Sequence, residues 1–328
     1  MQTPDSIPQM AGPTSDLRIL FMGTPDFAVA SLDALVKAGV HIVGVITAPD
    51  KPAGRGMKLT ESAVKKYALE KNLPVLQPEK LKNPEFIEEL RSLKADLQIV
   101  VAFRMLPEIV WNMPALGTVN LHGSLLPQYR GAAPIHWAVI NGEKETGVTT
   151  FKLKHEIDTG DILLQKSFPI GEDETTGEVH DRMKEIGANL LVSTVKGLSE
   201  GTLQKIDQSS VISRQSSVLK YAPKIFTKTC QINWNESVDK IHNLIRGLSP
   251  FPGAVTVLDE KILKVYRSRK EITQHSEPFG KALSDGKTVI KFACANGFIH
   301  ILDLQLEGKK RMLTEDFLRG YRLKDISE

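Results

Sequence analysis

The chain has 328 residues and a formal net charge of +3, with 41% hydrophobic and 25% charged residues. This composition is that of a globular protein and excludes collagen-like, low-complexity or wholly disordered chains. No apolar run reaches the ~18 residues of a membrane span, and the polar N-terminus lacks the features of a secretion signal. Two cysteines, Cys230 and Cys294, are too few for a zinc site or a disulfide framework, which favours a reducing cytoplasm.

The N-terminal part of the chain is predicted to be a loose tail followed by an α/β domain. Residues 1–16 are polar and show no apolar period. From residue 17, short apolar runs alternate with amphipathic segments, which is the pattern of right-handed βαβ units. Strands are expected at 18–22, 42–47, 73–76 and 97–103, and helices at 28–39, 64–71, 86–93 and 178–196. Together they predict a Rossmann-like, doubly wound, mostly parallel sheet.

The turn after the first predicted strand argues against a dinucleotide cofactor. It reads Gly23-Thr24-Pro25-Asp26-Phe27 and lacks the Gly-x-Gly-x-x-Gly fingerprint. Pro25 also has no backbone N–H, so it would remove one of the helix N-terminal donors that bind a pyrophosphate.

The last third of the chain has a different pattern and predicts a second domain. A polar segment, 208–217, separates it from the first domain, and the predicted division is 1–16, 17–205, 206–219 and 220–328. One helix near 238–248 precedes short strands, with an Asn296-Gly297 hairpin signal between two of them. This favours a small OB-like β-barrel. Residues 220–328 hold 19 basic and 13 acidic residues, a net charge of +6, which fits either a nucleic-acid surface or a solvated face.

The most informative segment for chemistry is the run 118–127. In a strand, side chains two residues apart share a face, so Asn120 and His122 point the same way. An amide can donate to an oxyanion, and an imidazole can move a proton near neutral pH. A structural, hydrogen-bonded histidine is the ordinary alternative for such a pair. Asp158, on a turn before Gly160, is a candidate carboxylate that would orient His122.

These residues resemble the motifs of the folate-dependent formyltransferases. The resemblance rests on Asn120-x-His122, on Ser124-Leu125-Leu126-Pro127 with Arg130-Gly131, and on Asp158-x-Gly160, and it extends from about residue 17 to 306. It implies transfer of a formyl group from 10-formyltetrahydrofolate to an amine without a metal ion. It also implies catalytic roles for Asn120, His122 and Asp158.

The resemblance further implies a folate pocket made by two segments. The implied residues are Ser124, Leu125, Leu126, Pro127, Phe103, Arg104, Met105 and Leu106. The second segment departs from the family pattern, because the family commonly has Ala-Tyr-Gly where this chain has Ala102-Phe103-Arg104. This departure leaves the role of Arg104 open.

Within the family, the chain is most similar to members that formylate the methionine carried by initiator tRNA. The matching features are the 23–27 motif, a cationic 50–58 loop, the 221–224 and 232–234 segments, and Ile245-Arg246 with 250–253. They imply that tRNA is contacted by Lys51, Arg55, Lys58, Lys224 and Arg246. A cytoplasmic monomer with folate and initiator methionyl-tRNA as partners, and with no membrane partner, is the expectation.

Two other functions stay open at this point. A formyltransferase acting on a small amine, such as an amino-sugar nucleotide, would share Asn120, His122 and Asp158. The cationic loop and the basic C-terminal third argue against it. A non-catalytic nucleic-acid-binding protein would explain the OB-like third but not the Asn-x-His pair.

Overall fold

The computed structural model describes residues 17–53, 58–214 and 218–323. Packing divides the chain into two compact units. The first comprises the described residues up to Gly131, together with Gly147–Phe168 and His180–Lys220. The second comprises Ala132–Thr146, Pro169–Val179 and the described residues from Tyr221 onward. Every helix in these described ranges is too short or too polar to cross a bilayer.

The first part of the chain alternates strands and helices, as predicted. Its strands are β1 (Ile19–Gly23), β2 (Ile42–Ile46), β3 (Lys51–Ala53), β4 (Lys58–Thr60), β5 (Val75–Leu76), β6 (Leu97–Val101), β7 (Thr118–His122), β8 (Arg130–Gly131), β9 (Glu145–Lys152) and β10 (Ile162–Pro169). Its helices are α1 (Asp26–Lys37), α2 (Ala63–Glu70), α3 (Pro84–Ser92), α4 (Glu108–Trp111), α5 (Pro134–Ile140), α6 (Thr176–Ser199) and α7 (Gln208–Arg214).

Seven strands form the central sheet in the order β10-β9-β7-β6-β1-β2-β5. Strands β5, β2, β1, β6 and β7 run parallel, and β9 runs antiparallel to β7. Strands β1, β2 and β6 are buried along their whole length, which is why they read as continuous apolar runs. The expected doubly wound, mostly parallel sheet is confirmed.

Two segments differ from the sequence-based expectation. The cationic loop after β2 contains a short antiparallel hairpin of β3 and β4, in which Ala53 pairs with Lys58. Arg55 lies outside the described residues. The segment predicted as a linker, 206–219, contains a short helix, α7, at Gln208–Arg214. Its Val211 packs against a buried apolar cluster, which the polar composition of this segment concealed.

The C-terminal part of the chain is an antiparallel sheet with one long amphipathic helix. Its elements are β11 (Tyr221–Ala222), a 3-10 helix (Thr227–Cys230), α8 (Val238–Gly247), β12 (Ala254–Leu258), β13 (Lys261–Ile272), β14 (Ala282–Ser284), β15 (Ile290–Cys294), β16 (Gly297–Leu306), β17 (Met312–Leu313) and α9 (Thr314–Leu318). The strand order is β12-β13-β16-β15-β14, with β17 added beside β16. This curled half-barrel agrees with the expected small β domain.

The predicted hairpin between β15 and β16 is present. Cys294 pairs with Gly297, so the two-residue turn is Ala295-Asn296 and the glycine begins the returning strand. Gly297 has φ +156°, and a Cβ there would lie 2.0 Å from the carbonyl oxygen of Glu271. Only glycine fits this close approach of two backbones.

Candidate functional site

The candidate site lies where β7 ends at the carboxyl edge of its parallel neighbour β6. Asn120 and His122 are two residues apart on β7 and therefore share a face. His122 is buried, whereas Asn120 is partly exposed. Ligands of open α/β sheets bind in the crevice outside the carboxyl ends of the parallel strands, which is where this pair lies.

The structure brings Asp158 next to His122, although the two are far apart in sequence. The distance from His122 Nδ1 to Asp158 Oδ2 is 3.8 Å, and the side chains are only 8% and 11% exposed. On the other side of the ring, His122 Nε2 lies 2.9 Å from the carbonyl oxygen of Tyr129. A carbonyl oxygen only accepts hydrogen bonds, so Nε2 carries a proton and Nδ1 is the atom that faces the carboxylate.

The turn that carries Asp158 explains the spacing of the Asp-x-Gly motif. Asp158 has φ +56°, a left-handed conformation that aspartate tolerates better than most residues. Its Oδ2 accepts a hydrogen bond of 2.9 Å from the backbone N–H of Gly131. A Cβ at Gly160 would lie 1.5 Å from the carbonyl oxygen of Lys152, so only glycine lets the turn close.

The side-chain amide of Asn120 is available to a ligand. Within the described ranges it forms no hydrogen bond to another group of the chain, while its backbone pairs with Val100 and Phe151 in the neighbouring strands. A partly exposed amide near the carboxyl end of a strand needs no partner other than water. Its N–H groups are therefore free to donate to a bound substrate.

The predicted folate segment 124–127 is largely built into the fold. Ser124 and Leu126 are buried, Pro127 is buried and Leu125 is partly exposed. The Ser124 hydroxyl donates to the carbonyl of Gln128 (2.6 Å). Thr149 holds the same loop: its hydroxyl donates to the Ser124 carbonyl (2.6 Å) and accepts from Leu126 N–H (3.1 Å). Folate contact by this segment stays a prediction, and the Ser124 hydroxyl is already hydrogen-bonded within the loop.

The other predicted folate segment, 103–106, is partly buried at its two ends and exposed in the middle. Phe103 and Leu106 pack against the apolar cluster under α3, whereas Met105 is 76% exposed. The Arg104 guanidinium donates to the carbonyl of Glu79 (2.8 Å) and to that of Pro78. Partial burial lowers the pKa of Arg104. This residue therefore fastens the segment to the turn after β5, and its folate contact stays a prediction.

A cavity of about 1200 Å³ opens along residues 75–89 beside this turn. Its lining includes neither the β7 pair nor Asp158, and it places no imidazole beside a carboxylate. The volume of a cavity does not by itself identify an active site, so the candidate catalytic groups remain those at the end of β7.

The residues predicted to contact tRNA fall into three groups. Lys51 and Lys224 are exposed, and Lys58 begins β4. Arg55 lies outside the described residues. Arg246, by contrast, is 4% exposed, and its guanidinium donates to the carbonyls of Gly171 and Glu174, both at 3.1 Å. Burial lowers its pKa. Contact of Arg246 with tRNA stays a prediction that this geometry does not favour.

Sequence reasoning missed two groups that shape the site. The carbonyl of Tyr129 fixes the proton on His122, and no sequence pattern reveals a backbone partner. Gln208, assigned to the linker, is buried and hydrogen-bonded to the Asp158 turn. The apolar Val211 three residues later, on the same face of a short helix, is the signal that could have indicated packing. Within the described part of the chain, no group of three or more His, Cys, Asp or Glu is arranged to hold a metal ion.

Comparison with known families gives two matches along the chain. Residues 17–195 match the family described as formyl transferase, and residues 224–322 match the formyl transferase C-terminal domain. Between them the two matches cover most of the described residues of both compact units.

Individual proteins resemble this chain over nearly its whole length. The methionyl-tRNA formyltransferase of Bacteroides thetaiotaomicron is 54% identical over 315 residues, which covers 94% of this chain and 97% of that protein. The methionyl-tRNA formyltransferase of Phocaeicola vulgatus is 57% identical over 316 residues, with the same coverage. Among solved structures, the N-formyltransferase of Helicobacter canadensis, in complex with folinic acid and dTDP-3-aminofucose, superimposes with a TM-score of 0.65. It is 20% identical and covers 90% of this chain and 100% of its own, a likeness of fold.

Proposed function

The chain belongs to the formyl transferase family, and we propose that it transfers the formyl group of 10-formyltetrahydrofolate to the α-amino group of methionine on initiator tRNA. The product would serve translation initiation. The observation that carries the proposal is the meeting of His122 and Asp158 beside the free amide of Asn120. Relatives with 54% and 57% identity over 94% of the chain are methionyl-tRNA formyltransferases, which supports this acceptor.

In the proposed reaction, Asn120 stabilises the charge that develops on the formyl oxygen. The methionine amine attacks the formyl carbon and forms the new C–N bond, which turns the carbonyl oxygen into an oxyanion. The Asn120 amide, free of partners within the described chain, donates a hydrogen bond to that oxygen. One such donor contributes a factor on the order of 100 to 1000 in turnover.

His122 would carry the proton that the transfer requires. The attacking amine loses one proton, and N10 of the folate takes one up as its bond to the formyl carbon breaks. Because the Tyr129 carbonyl holds Nε2–H, Nδ1 is the atom that receives and returns this proton. Asp158, 3.8 Å away, stabilises the imidazolium formed in between, and such contacts tighten in the transition state.

The basic C-terminal region is the proposed platform for the tRNA. Residues 220–328 carry a net charge of +6, and Lys224 is exposed on this unit. The proposed contacts of the acceptor arm are Lys51 and Lys58, on the hairpin after β2, and Arg55, which lies outside the described residues. A folate co-substrate, a cytoplasmic location and a monomeric state complete the proposal.

A formyl-transfer assay with matched acceptors tests the function. The purified chain is incubated with 10-formyltetrahydrofolate and with methionyl initiator tRNA, the same tRNA without methionine, or an amino-sugar nucleotide. We expect N-formylmethionyl-tRNA as the product and no transfer to the other two acceptors. Transfer to the amino sugar alone would identify a small-amine formyltransferase. Tight tRNA binding without transfer would identify a binding protein.

A further inference from the structure

Gln208 is a buried amide whose hydrogen-bonding capacity is fully used next to the site. It is 2% exposed, at the start of α7. Its Nε2 donates to the backbone carbonyls of Asp158 (3.0 Å) and Gly160 (2.7 Å). Its Oε1 accepts from Nε and Nη2 of Arg130, at 3.1 Å and 2.6 Å. Two donors and two acceptor positions are all that a glutamine side chain has.

These bonds hold the part of the chain that aims the Asp158 carboxylate. Asp158 adopts a left-handed conformation, which persists only where surrounding contacts fix it. The Asp158 carboxylate accepts from Gly131 N–H, and the residue before that glycine is the Arg130 that Gln208 binds. Gln208 is thus hydrogen-bonded both to the Asp158 turn and to Arg130 of strand β8. The next residue of this strand, Gly131, donates its N–H to the Asp158 carboxylate.

The far end of the same segment holds the other partner of His122. The Lys220 carbonyl accepts a 2.7 Å hydrogen bond from Tyr129 N–H, and Lys220 N–H donates to the Gln128 side chain at 2.8 Å. Tyr129 has φ +59°, and its own carbonyl accepts from His122 Nε2. Residues near both ends of the 208–220 segment therefore fix the two groups between which the imidazole lies.

We propose that Gln208 is a positioning residue for formyl transfer. It sets the backbone of Asp158 and Gly160, and through it the place of the carboxylate opposite His122 Nδ1. This inference rests on the proposed function, because the effect of the carboxylate is exerted on the proton that His122 carries. Displacement of a catalytic group by about 1 Å costs up to roughly 100-fold in rate.

Two substitutions of Gln208 separate its donor role from its acceptor role. Gln208→Ala removes all four hydrogen bonds. Gln208→Glu keeps an oxygen for Arg130 but sets a carboxylate oxygen against the carbonyls of Asp158 and Gly160. Gln204→Ala is the matched control, because Gln204 is an exposed glutamine four residues before Gln208. Each variant is assayed as the full chain for kcat, for KM of folate and tRNA, and for thermal unfolding.

We expect both Gln208 variants to lose about 10- to 100-fold in kcat, with KM values near those of the wild type. The deficit of Gln208→Glu should shrink as the pH falls, because a protonated carboxyl donates again to one of the two carbonyls. A role in stability alone would lower the unfolding temperature and leave the kcat of the folded enzyme, and its pH profile, unchanged. Wild-type kcat in both Gln208 variants would overturn the inference.

Hydrogen exchange of the backbone separates this inference from the proposed function. Residues 158–161 should exchange faster in Gln208→Ala than in the wild type or in Gln204→Ala. If the wild type transfers no formyl group, the proposed function fails, and this exchange alone decides whether Gln208 holds the turn. Equal exchange in the three proteins would overturn the inference whatever the activity.

Discussion

The carboxyl end of β7 and the inner face of α8 both carry polar side chains that the sequence predicts to be functional. The two regions differ in how far the fold already satisfies the hydrogen bonds of these side chains. At β7, His122 and Asp158 face each other, and the amide of Asn120 is left free within the described chain. On α8, Arg246 is buried and bonded to two carbonyls and to Asn243. The difference shows that residue type alone does not mark a functional group. A polar group can bind a substrate directly only where the fold has left part of its hydrogen-bonding capacity unused.

The same distinction applies to the positive charge of the C-terminal unit. Several of its cations form ion pairs with carboxylates: Arg267 with Glu178, Lys270 with Glu172 and Asp239, Lys291 with Glu271, and Arg311 with Asp303. Lys224 is exposed and has no such pair within the described residues. Net charge alone therefore does not tell which cations are free to meet a phosphate.

The substitution His122→Ala should reduce turnover more than any other change considered below. Removal of a general acid–base group typically costs about 100- to 10000-fold, and we expect kcat of formyl transfer to fall within this range. His155→Ala is the matched control, because His155 is an exposed histidine close to the Asp158 turn. Circular dichroism verifies the fold of both variants. Turnover of His122→Ala equal to that of the control would refute the proton-transfer role.

Arg246→Met should lower stability rather than catalysis. The substitution leaves the carbonyls of Gly171 and Glu174 without their donor. A hydrogen bond that involves a charged group contributes about 1.5 to 3 kcal/mol. We expect a lower urea midpoint for the second unit and near-normal kcat in the folded enzyme. Arg322→Met, at an exposed position, is the control. If the urea midpoint is unchanged and tRNA binding is weaker, the result would instead support contact between Arg246 and tRNA.

The stability of the second unit should fall in mild acid because of His242. This imidazole is buried beside Ser268, Asp173, Arg246 and Lys270, and burial lowers its pKa below the ordinary value of 6.5. The folded state then binds fewer protons than the unfolded state, so the stability present above pH 6.5 is lost as the pH drops through the lowered pKa.

The non-titrating variant His242→Gln tests this prediction. Relative to wild type, its unfolding temperature should improve between pH 7.5 and pH 5.5, because the wild type alone must protonate this buried group. If the difference in unfolding temperature between the variant and the wild type is the same at both pH values, protonation of His242 does not affect the stability of the fold over this range.

The smallest expected effect concerns Lys224→Ala. If Lys224 contacts one phosphate, its loss should reduce the slope of log affinity against log salt by about 0.7 to 0.9. The slope for Arg246→Met should equal that of the wild type, because its guanidinium donates to carbonyls inside the unit. Titration of methionyl-tRNA at several salt concentrations measures both. Equal slopes for wild type and Lys224→Ala would remove this lysine from the proposed contacts.

Features that follow from the periodicity of apolar residues could be predicted from the sequence. Features that depend on which polar groups become buried could not. Apolar runs placed the central strands and helices, and the two-residue period placed Asn120 and His122 on one face. Helix α7 escaped prediction because Val211, which packs against a buried apolar cluster, lies in a polar segment. The burial of Arg246 and the backbone partner of His122 could not be predicted. Charge does not reveal accessibility, and a carbonyl has no sequence signature.

Within the described chain the amide of Asn120 has no partner, and we propose that it donates to the reacting formyl group. The most direct test is the single-turnover rate of formyl transfer in Asn120→Asp, which keeps the shape of the side chain and replaces its donor with an oxygen. We predict a rate lower by about 100- to 1000-fold, with both substrates bound as tightly as by the wild type. A rate equal to that of the wild type would contradict it.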